Sequence, residues 1–294
     1  MKNAADTRLA FVTDSIHPNF AEDDRIVVRY LSAHGYWVDP VIWDDSSVNW
    51  SSFDCIILRS SWDYFLKIVT FTAWLDQLAL AKVKVYNPVP VLQWNKNKNY
   101  LLHFKEAGIL IPEFEYCKQG LAYSLNNILQ EHQWDKVVIK PSVSGGAHKT
   151  WVTDLSQALV HQLDFEALTL HQDVIVQKFS DEIVRHGELS LIYFNKKFSH
   201  AVLKQAKVGD FRVQAQYGGQ HTIYHPSASL LNQVDRILSF IADPLLYARI
   251  DGFLDDQHNF WLMELELLEP VLFFDSDTDA CQRFEQALTE LIAY

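Results

Sequence analysis

One stretch constrains this chain more than any other. Residues 247–270 read YARIDGFLDDQHNFWLMELELLEP. Successive side chains of a strand point to opposite faces. Arg249 and Asp251 therefore share a face, and Glu264 and Glu266 share a face while Met263, Leu265 and Leu267 take the other. The intervening DDQHN is a natural turn. A turn centred on Gln257 and His258 sets Asp251 opposite Glu264 and Arg249 opposite Glu266. Three carboxylates then converge, and carboxylates that close repel unless a cation neutralises them. Arg249 offsets one. A hard divalent cation offsets the others, and magnesium suits carboxylates shared with nucleotide phosphates. Asp251, Glu264 and Glu266 are thus candidate metal ligands. The same alternation is equally compatible with a solvated, charged sheet face.

The rest of the chain reads as strands alternating with helices, then as strands. Residues 8–13 (RLAFVT), WVDPVIWDD and FDCIILRSS are strand-like. Between them, residues 23–35 carry Ile26, Val27, Tyr30 and Leu31 at helical spacing before a glycine stop. WDYFLKIVTFTAWLDQLALA is a long helical candidate, and VKVYNPVPV a strand ending at prolines. This alternation implies a small parallel sheet over residues 1–88. Residues 95–108 read as one amphipathic helix ended by Gly108. Residues 116–180 form a small α+β unit with a hairpin. Beyond Glu188, LSLIYF, KFSHAVLK and QHTIYH are strands. A helix follows near 228–242, then the carboxylate hairpin and a terminal helix.

Bulk properties narrow the function. With 294 residues, two or three packed subdomains are expected. The net charge of −12 repels polyanions, which disfavours nucleic-acid binding. ATP is an anion too, so an ATP site needs its own local cations. Three scattered cysteines without a C-x-x-C pair argue against a disulfide framework or structural zinc. No apolar run reaches membrane-span length, and the start lacks a signal-peptide core. A cytoplasmic protein without membrane partners is the expectation.

Several polar motifs remain. In VVIKPSVSGGAHKT, Lys140 stands at a strand end before a loop of small residues, Ser142, Ser144, Gly145 and Gly146. Such residues let backbone N–H groups approach phosphate, although an ordinary hairpin turn has the same composition. No Walker A pattern occurs. Gln177, Lys178 and Phe179 end an apolar strand whose backbone could read an adenine edge. Lys98 lies on the amphipathic helix, and Lys204 and Arg212 flank a short polar segment ending in Tyr217-Gly218-Gly219; each taken alone reads as a solvated surface charge. Arg59, with Trp62 and Asp63 in RSSWDY, either grips a substrate carboxylate through a bidentate contact or pairs with Asp63 or another nearby acid.

Taken in order, these pieces resemble the ATP-grasp superfamily over nearly the whole chain. Lys98 and Lys140 look like its two ATP-phosphate lysines, and Ser142 to Gly146 like its phosphate-covering loop. Gln177 to Phe179 look like the adenine hinge, and Glu182 or Glu188 like the ribose-binding acid. ARID at 248–251 is similar to the R-x-D strand of D-alanine–D-alanine ligases, and MELE at 263–266 to the metal-binding E-x-N motif. VTDS, RSSWDY, VYNP, LQWNKNKNYLL and ELELLEPVLFF are similar to the group that includes D-cycloserine ligase. Two departures stand out. Glu266 replaces the asparagine of E-x-N. The G-D-x-R segment of glutathione-synthetase-like enzymes appears as Gly187-Glu188-Leu189-Ser190, without its arginine, which weakens a glutathione-type substrate assignment.

The resemblance implies an α/β (α+β) chain with the ATP-grasp fold. Its parts would be an N-terminal parallel-sheet, substrate-binding domain (1–88), a central α+β subdomain with the phosphate loop (89–180), and a C-terminal mixed or antiparallel-sheet subdomain with the metal site (181–294). It implies a ligase using ATP and magnesium, with manganese as a substitute, to activate the carboxylate of a small amino-acid-like substrate for attack by an amine. Arg249, Arg212 and Lys204 would be catalytic, and Arg59, Trp62, Asp63 and Glu269 would bind substrate. A homodimer is the family-level expectation. The alternatives are a small-molecule kinase on the same fold and a non-catalytic ATP-binding regulator.

Overall fold

Alternating buried strands and helices build the first sheet. The computed structural model describes residues 7–207 and 218–293. Strands β1 (Arg8–Thr13), β2 (Trp37–Ile42), β3 (Cys55–Ser60) and β4 (Val85–Tyr86) are parallel in the order β2-β1-β3-β4. Helices α1 (Glu22–Ala33) and α2 (Ile68–Leu80) make the crossovers. The strands β1 and β3 are almost wholly buried, as their continuous apolar runs require of a sheet covered on both faces. Chain order reverses between β1 and β3, so a crevice opens beyond their C-terminal ends.

Two expectations change in the next segment. The prolines after β4 do not merely end a strand. They open helix α3 (Val89–Asn95), where a proline in the first turn sacrifices no intrahelical N–H. The single helix expected over 95–108 is split, because α4 begins only at Tyr100 (Tyr100–Glu106). In the break, the Asn97 side chain accepts the Asn99 N–H at 2.9 Å, a local turn that competes with helix. The Lys98 N–H leaves the helix entirely and donates to the Ser142 carbonyl at 2.8 Å.

The second sheet contains β5 (Phe114–Cys117), β6 (Lys136–Pro141), β7 (Trp151–Asp154) and β8 (Val174–Lys178), antiparallel in the order β5-β8-β6-β7. Helices α5 (Leu125–Glu131) and α6 (Gln162–His171) share its apolar core. After the short α7 (Asp181–His186) comes the third sheet: β9 (Glu188–Phe194), β10 (Lys197–Gln205), β11 (Gln220–Tyr224), β12 (Tyr247–Leu254) and β13 (Phe260–Glu266). It is antiparallel throughout, in the order β11-β10-β9-β12-β13. Helix α8 (Ala228–Ser239) packs on it with α4. Helix α9 (Ala280–Ile292) shares one core with β1, α1 and β9, so it joins the first sheet to the third.

Polar side chains clamp the segment after β13 to the rest of the molecule. Asn87 donates to the carbonyls of Tyr247 and Leu267 at 2.9 and 2.7 Å. Asn95 donates to Leu265 O and accepts from Leu267 N. Buried Tyr247 bridges the carbonyls of Leu58 and Leu268 with its hydroxyl, at 2.7 and 2.8 Å. Asp23 accepts the N–H groups of Leu272 and Phe274. Each bond satisfies a backbone group that would otherwise be buried unmet. Together they fix the carboxylate strand against the crevice of the first sheet. Among the described residues, no helix is long and apolar enough to cross a membrane.

Candidate active site

The hairpin pairs Arg249 with Glu266 and Asp251 with Glu264, as its alternation implies. The route differs from the expectation. From Gly252 outward the register is Gly252–Leu262, Phe253–Trp261 and Leu254–Phe260, so Met263 is the extra residue of a bulge. The bulge switches faces within β13. Leu262 and Leu265 both fill the core, while Met263, expected beside Leu265 and Leu267, is only half-buried. Gly252 permits this. A Cβ there would lie 2.2 Å from the Trp261 carbonyl oxygen and 2.5 Å from the Phe260 ring.

Arg249 is the hub. Its Nε lies 3.1 Å from both oxygens of Asp251, and its Nη2 donates to Asp251 Oδ2 at 2.9 Å and to Glu266. Its Nη1 donates to Val271 O at 3.0 Å. Cross-strand register brings the other members. Ser190 of β9 stands opposite Asp251 and donates to its Oδ1 at 2.5 Å. Lys204 of β10 stands opposite Glu188, donates to it at 2.5 Å, and lies 3.5 Å from Asp251 Oδ2. Burial works to raise the Asp251 carboxyl, but Arg249 and Lys204 hold it below its ordinary value. Glu266 loses that competition for Arg249. Burial pushes it well above the glutamate range, Arg249 only partly opposes this, and the charges of Glu264, Asp251 and Glu269 add to it.

The three candidate metal ligands do not form a bare carboxylate cage. Among the described residues, no three acidic, histidine or cysteine side chains are grouped closely enough to hold an ion. Asp251 faces Arg249, Lys204 and Ser190, whereas Glu264 faces Lys98 at 3.1 Å. Glu264 and Glu266 stay partly open, with side chains 30% and 22% exposed. This set fits magnesium held by one or two carboxylates and completed by phosphate oxygens and water. The raised Glu266 marks negative charge that Arg249 leaves under-compensated.

Cations line the other side. Lys98, in the break before α4, donates to the Ser144 carbonyl at 2.7 Å and so is stitched to the glycine loop. Lys140, at the end of β6, is buried and makes no ion pair among the described residues. Burial first, and then Lys98, lower its ammonium from 10.5 to about 8, with Glu264 and Glu188 opposing. A buried cation without a partner suits a phosphate group. In the loop, Ser142 and Ser144 are buried, and Gly146, Ala147 and Lys149 have positive φ. Gly145 lies against Phe65, where a Cβ would meet the ring at 3.3 Å, and the His148 ring is 5.0 Å from it.

At the end of β8, the N–H groups of Lys178 and Phe179 are spent on the carbonyls of Glu113 and Lys136. The backbone donors expected to read a base here are therefore occupied. Instead, Gln177 Nε2 is buried without a partner among the described residues, a donor that fits a nucleobase acceptor. The Lys178 ammonium lies by Glu113 and is half exposed, and the Phe179 ring lies 3.8 Å from Lys136 Nζ. Glu182 pairs with Arg185 on α7 and keeps some exposure, whereas Glu188 is buried against Lys204.

The crevice of the first sheet holds the remaining candidates. Arg59 is 1% exposed and grips Asp24 of α1 with Nε at 2.8 Å and Nη2 at 2.7 Å. Its partner is thus Asp24 rather than Asp63. Both Asp63 oxygens are engaged, by Trp43 Nε1 at 2.7 Å and Lys67 at 2.8 Å. Trp62 Nε1 donates to the Glu269 carbonyl at 2.9 Å. The buried Glu269 carboxyl is pushed up to about 7, chiefly by burial, with Arg249 and Lys98 opposing. Arg212 lies outside the described residues. Sequence reasoning missed Ser190 and Gly252. Ser190 was legible as the same-face neighbour of Glu188, two residues on, and Gly252 as a glycine inside a strand.

Comparison with known proteins agrees with this geometry. Residues 9–87 match the family model described as D-cycloserine synthetase DcsG, N-terminal domain. The cycloserine biosynthesis protein DcsG of Streptomyces lavendulae is 25% identical over 96% of this chain and 98% of its own length. The crystal structure of D-cycloserine synthetase DcsG superposes with a TM-score of 0.87 at 22% identity, covering 97% of this chain and 99% of that one. The D-alanine–D-alanine ligase of Bacillus anthracis gives a TM-score of 0.70 at 12% identity over 98% of this chain and 97% of its own, and its complex with ATP gives 0.68. This chain therefore has the ATP-grasp fold of the D-alanine–D-alanine ligases and is similar in sequence, over nearly its whole length, to D-cycloserine synthetase DcsG.

Proposed function

We propose that this chain is an ATP- and magnesium-dependent carboxylate–amine ligase acting on a small amino-acid-like substrate. The observation that carries the reading is the unequal pairing of charge at the hairpin. Lys140 is a buried cation that makes no ion pair among the described residues, and Glu266 is a buried acid that Arg249 leaves under-compensated. A nucleotide triphosphate would pair the ammonium with phosphate, and its metal would offset the excess carboxylate charge.

In this reading the substrate carboxylate attacks the ATP γ-phosphorus, giving an acyl phosphate and ADP. An amine then attacks the acyl carbon, and inorganic phosphate leaves. Lys98, Lys140 and the 142–146 loop bind the phosphates, and Gln177 meets the base. Glu264 and Glu266, with Asp251 behind them, would hold magnesium, which would neutralise phosphate charge when bound. Arg249, backed by Lys204 and joined by Arg212, stabilises the transferring phosphoryl group and the later oxyanion. Fixed cations of this kind are each worth about 10²–10³ in rate. Trp62 and Glu269 border the substrate, with Arg59 and Asp63 bracing that wall. The three sheets are read as three subdomains divided near residues 88 and 180.

A phosphate-release screen with ATP, magnesium and pooled amino acids and dipeptides, followed by mass analysis, tests this. The expected product is lighter than its two parents by one water. A phosphorylated product instead makes the protein a kinase. ATP binding without turnover across the panel makes it a regulator.

A further inference from the structure

After β13 the chain recrosses the sheet face that carries the carboxylates. Directly opposed residues of neighbouring strands share a face. Glu266 of β13 pairs with Arg249 of β12, Arg249 with Ile192 of β9, and Ile192 with His200 of β10. Residues 271–273 form a strap over this row. Arg249 Nη1 donates to the Val271 carbonyl at 3.0 Å, and His200 Nε2 donates to the Leu272 carbonyl at 2.8 Å. The Phe273 ring then meets the His221 ring of β11 at 4.9 Å, and His221 is the cross-strand partner of Lys204.

The backbone is pinned on both sides of Phe273. Asp23 accepts the N–H groups of Leu272 and Phe274 at 2.9 and 2.7 Å, and both side chains are buried in the core shared with α9. The Ser199 hydroxyl accepts from Arg283 Nε at 2.8 Å and donates to His200 Nδ1 at 2.8 Å, which leaves the Nε2 proton for Leu272. Phe273 itself has a φ of 52°. A bulky residue in the left-handed region persists only where its surroundings over-determine it, and such outliers cluster at functional sites. Here the conformation leaves the ring half-buried, 5.9 Å from the Arg249 guanidinium carbon, while Arg249 and Lys204 are only 9% and 8% exposed.

We propose that Phe273 is a shielding residue, whose ring keeps water off the acyl phosphate at Arg249 so that an amine takes the acyl group. This rests on the ligase reading. Two fates break the same bond, between the acyl carbon and the phosphate oxygen. Attack by an amine forms a C–N bond, and the amine gives up a proton. Attack by water forms a C–O bond and returns the starting carboxylate, so one ATP is hydrolysed without product. A closed site suppresses the second fate by excluding water. An aromatic ring suits that duty, being broad, apolar and able to lie near a guanidinium.

The test uses Phe273→Ala, Phe273→Gly and Phe273→Tyr in the full chain. Pooled D- and L-amino acids are turned over with magnesium-ATP and hydroxylamine, a small amine that converts an acyl phosphate to a hydroxamate. Hydroxamate and inorganic phosphate are measured in the same reaction. The wild type should form as much hydroxamate as phosphate. Phe273→Ala and Phe273→Gly should lower the hydroxamate-to-phosphate ratio at least about threefold, as water gains access, and Phe273→Tyr should restore it. Thermal unfolding checks the backbone. Glycine enters the left-handed region without steric cost, so Phe273→Gly should melt no lower than Phe273→Ala. Hydroxamate and phosphate that fall together in the alanine and glycine variants, at an unchanged ratio, overturn the proposal and make Phe273 a packing residue. A glycine variant that melts below the alanine variant overturns it too, because position 273 is then not held left-handed. A wild type that forms no hydroxamate removes the ligase reading and the proposal together, whereas a wild type that forms it beside variants of unchanged ratio removes the proposal alone.

Discussion

Arg59 and Arg249 are both buried arginines bound to an aspartate, yet their surroundings differ. Arg59 meets Asp24 in a closed pair, and that carboxylate is completed by the Ser60 hydroxyl. Arg249 binds Asp251 just as closely, but Glu266 competes for it, and Lys204, Glu188, Lys98 and Glu264 crowd around. That single ion pair holds the crevice wall in place. Around the crowded set burial raises Glu266, with the neighbouring carboxylates adding to it, and burial lowers Lys140; such perturbation accompanies chemistry more often than scaffolding.

The largest expected effect breaks the crowded set. Glu264→Gln with Glu266→Gln should lower ATP-dependent phosphate release by at least about 10²–10³. Unfolding measured without metal should show no loss of stability, since carboxylate repulsion is relieved. Normal turnover in this double variant would remove the metal-site assignment. Next, Arg59→Met should cost roughly 3–5 kcal/mol in urea unfolding, because Asp24 is left buried and unpaired. Arg249→Met should cost less stability, since Lys204 still faces Asp251, but more activity. Equal stability losses would erase the contrast drawn between the two arginines. Gly252→Ala should cost roughly 1–3 kcal/mol by overpacking the bulge, and should weaken phosphate release by misplacing Glu264. Unchanged unfolding would show that the hairpin tolerates a regular register.

A smaller effect is expected in pH dependence. Lys140 is lowered from 10.5 to about 8 in the nucleotide-free fold. Between those values the unfolded chain binds the extra proton, so the stability contribution rises with pH from about 8 toward 10.5. Below the lower value the full cost of burying the ammonium is present. Lys140→Met should flatten this slope, and magnesium-ATP should diminish it by pairing the ammonium. A slope unaltered by either change would place the titration elsewhere.

The hairpin partners of Arg249 and Asp251 were legible because side-chain period alone assigns faces. The bulge at Met263 was not, because one extra residue leaves no mark on that period except the glycine opposite. The split between α3 and α4 was hidden because the polar run at 95–99 also suits the solvent face of an amphipathic helix, and only the Asn97 turn reveals it. The partner of Arg59 lies 35 residues back on α1. Finding it requires the parallel topology, which brings the start of α1 over the end of β3. The contact between Phe65 and the 142–150 loop likewise joins two sheets that no local pattern relates.

The central claim is carboxylate activation at the Arg249 hairpin, and isotope transfer tests it most directly. A substrate identified by the screen, labelled with ¹⁸O in its carboxylate, is turned over with magnesium-ATP and an amine. An acyl phosphate intermediate predicts that the released inorganic phosphate carries one labelled oxygen, and that label-bearing phosphate disappears in the Glu264→Gln, Glu266→Gln variant. Phosphate released without label, or label retained wholly in the product, would contradict the account.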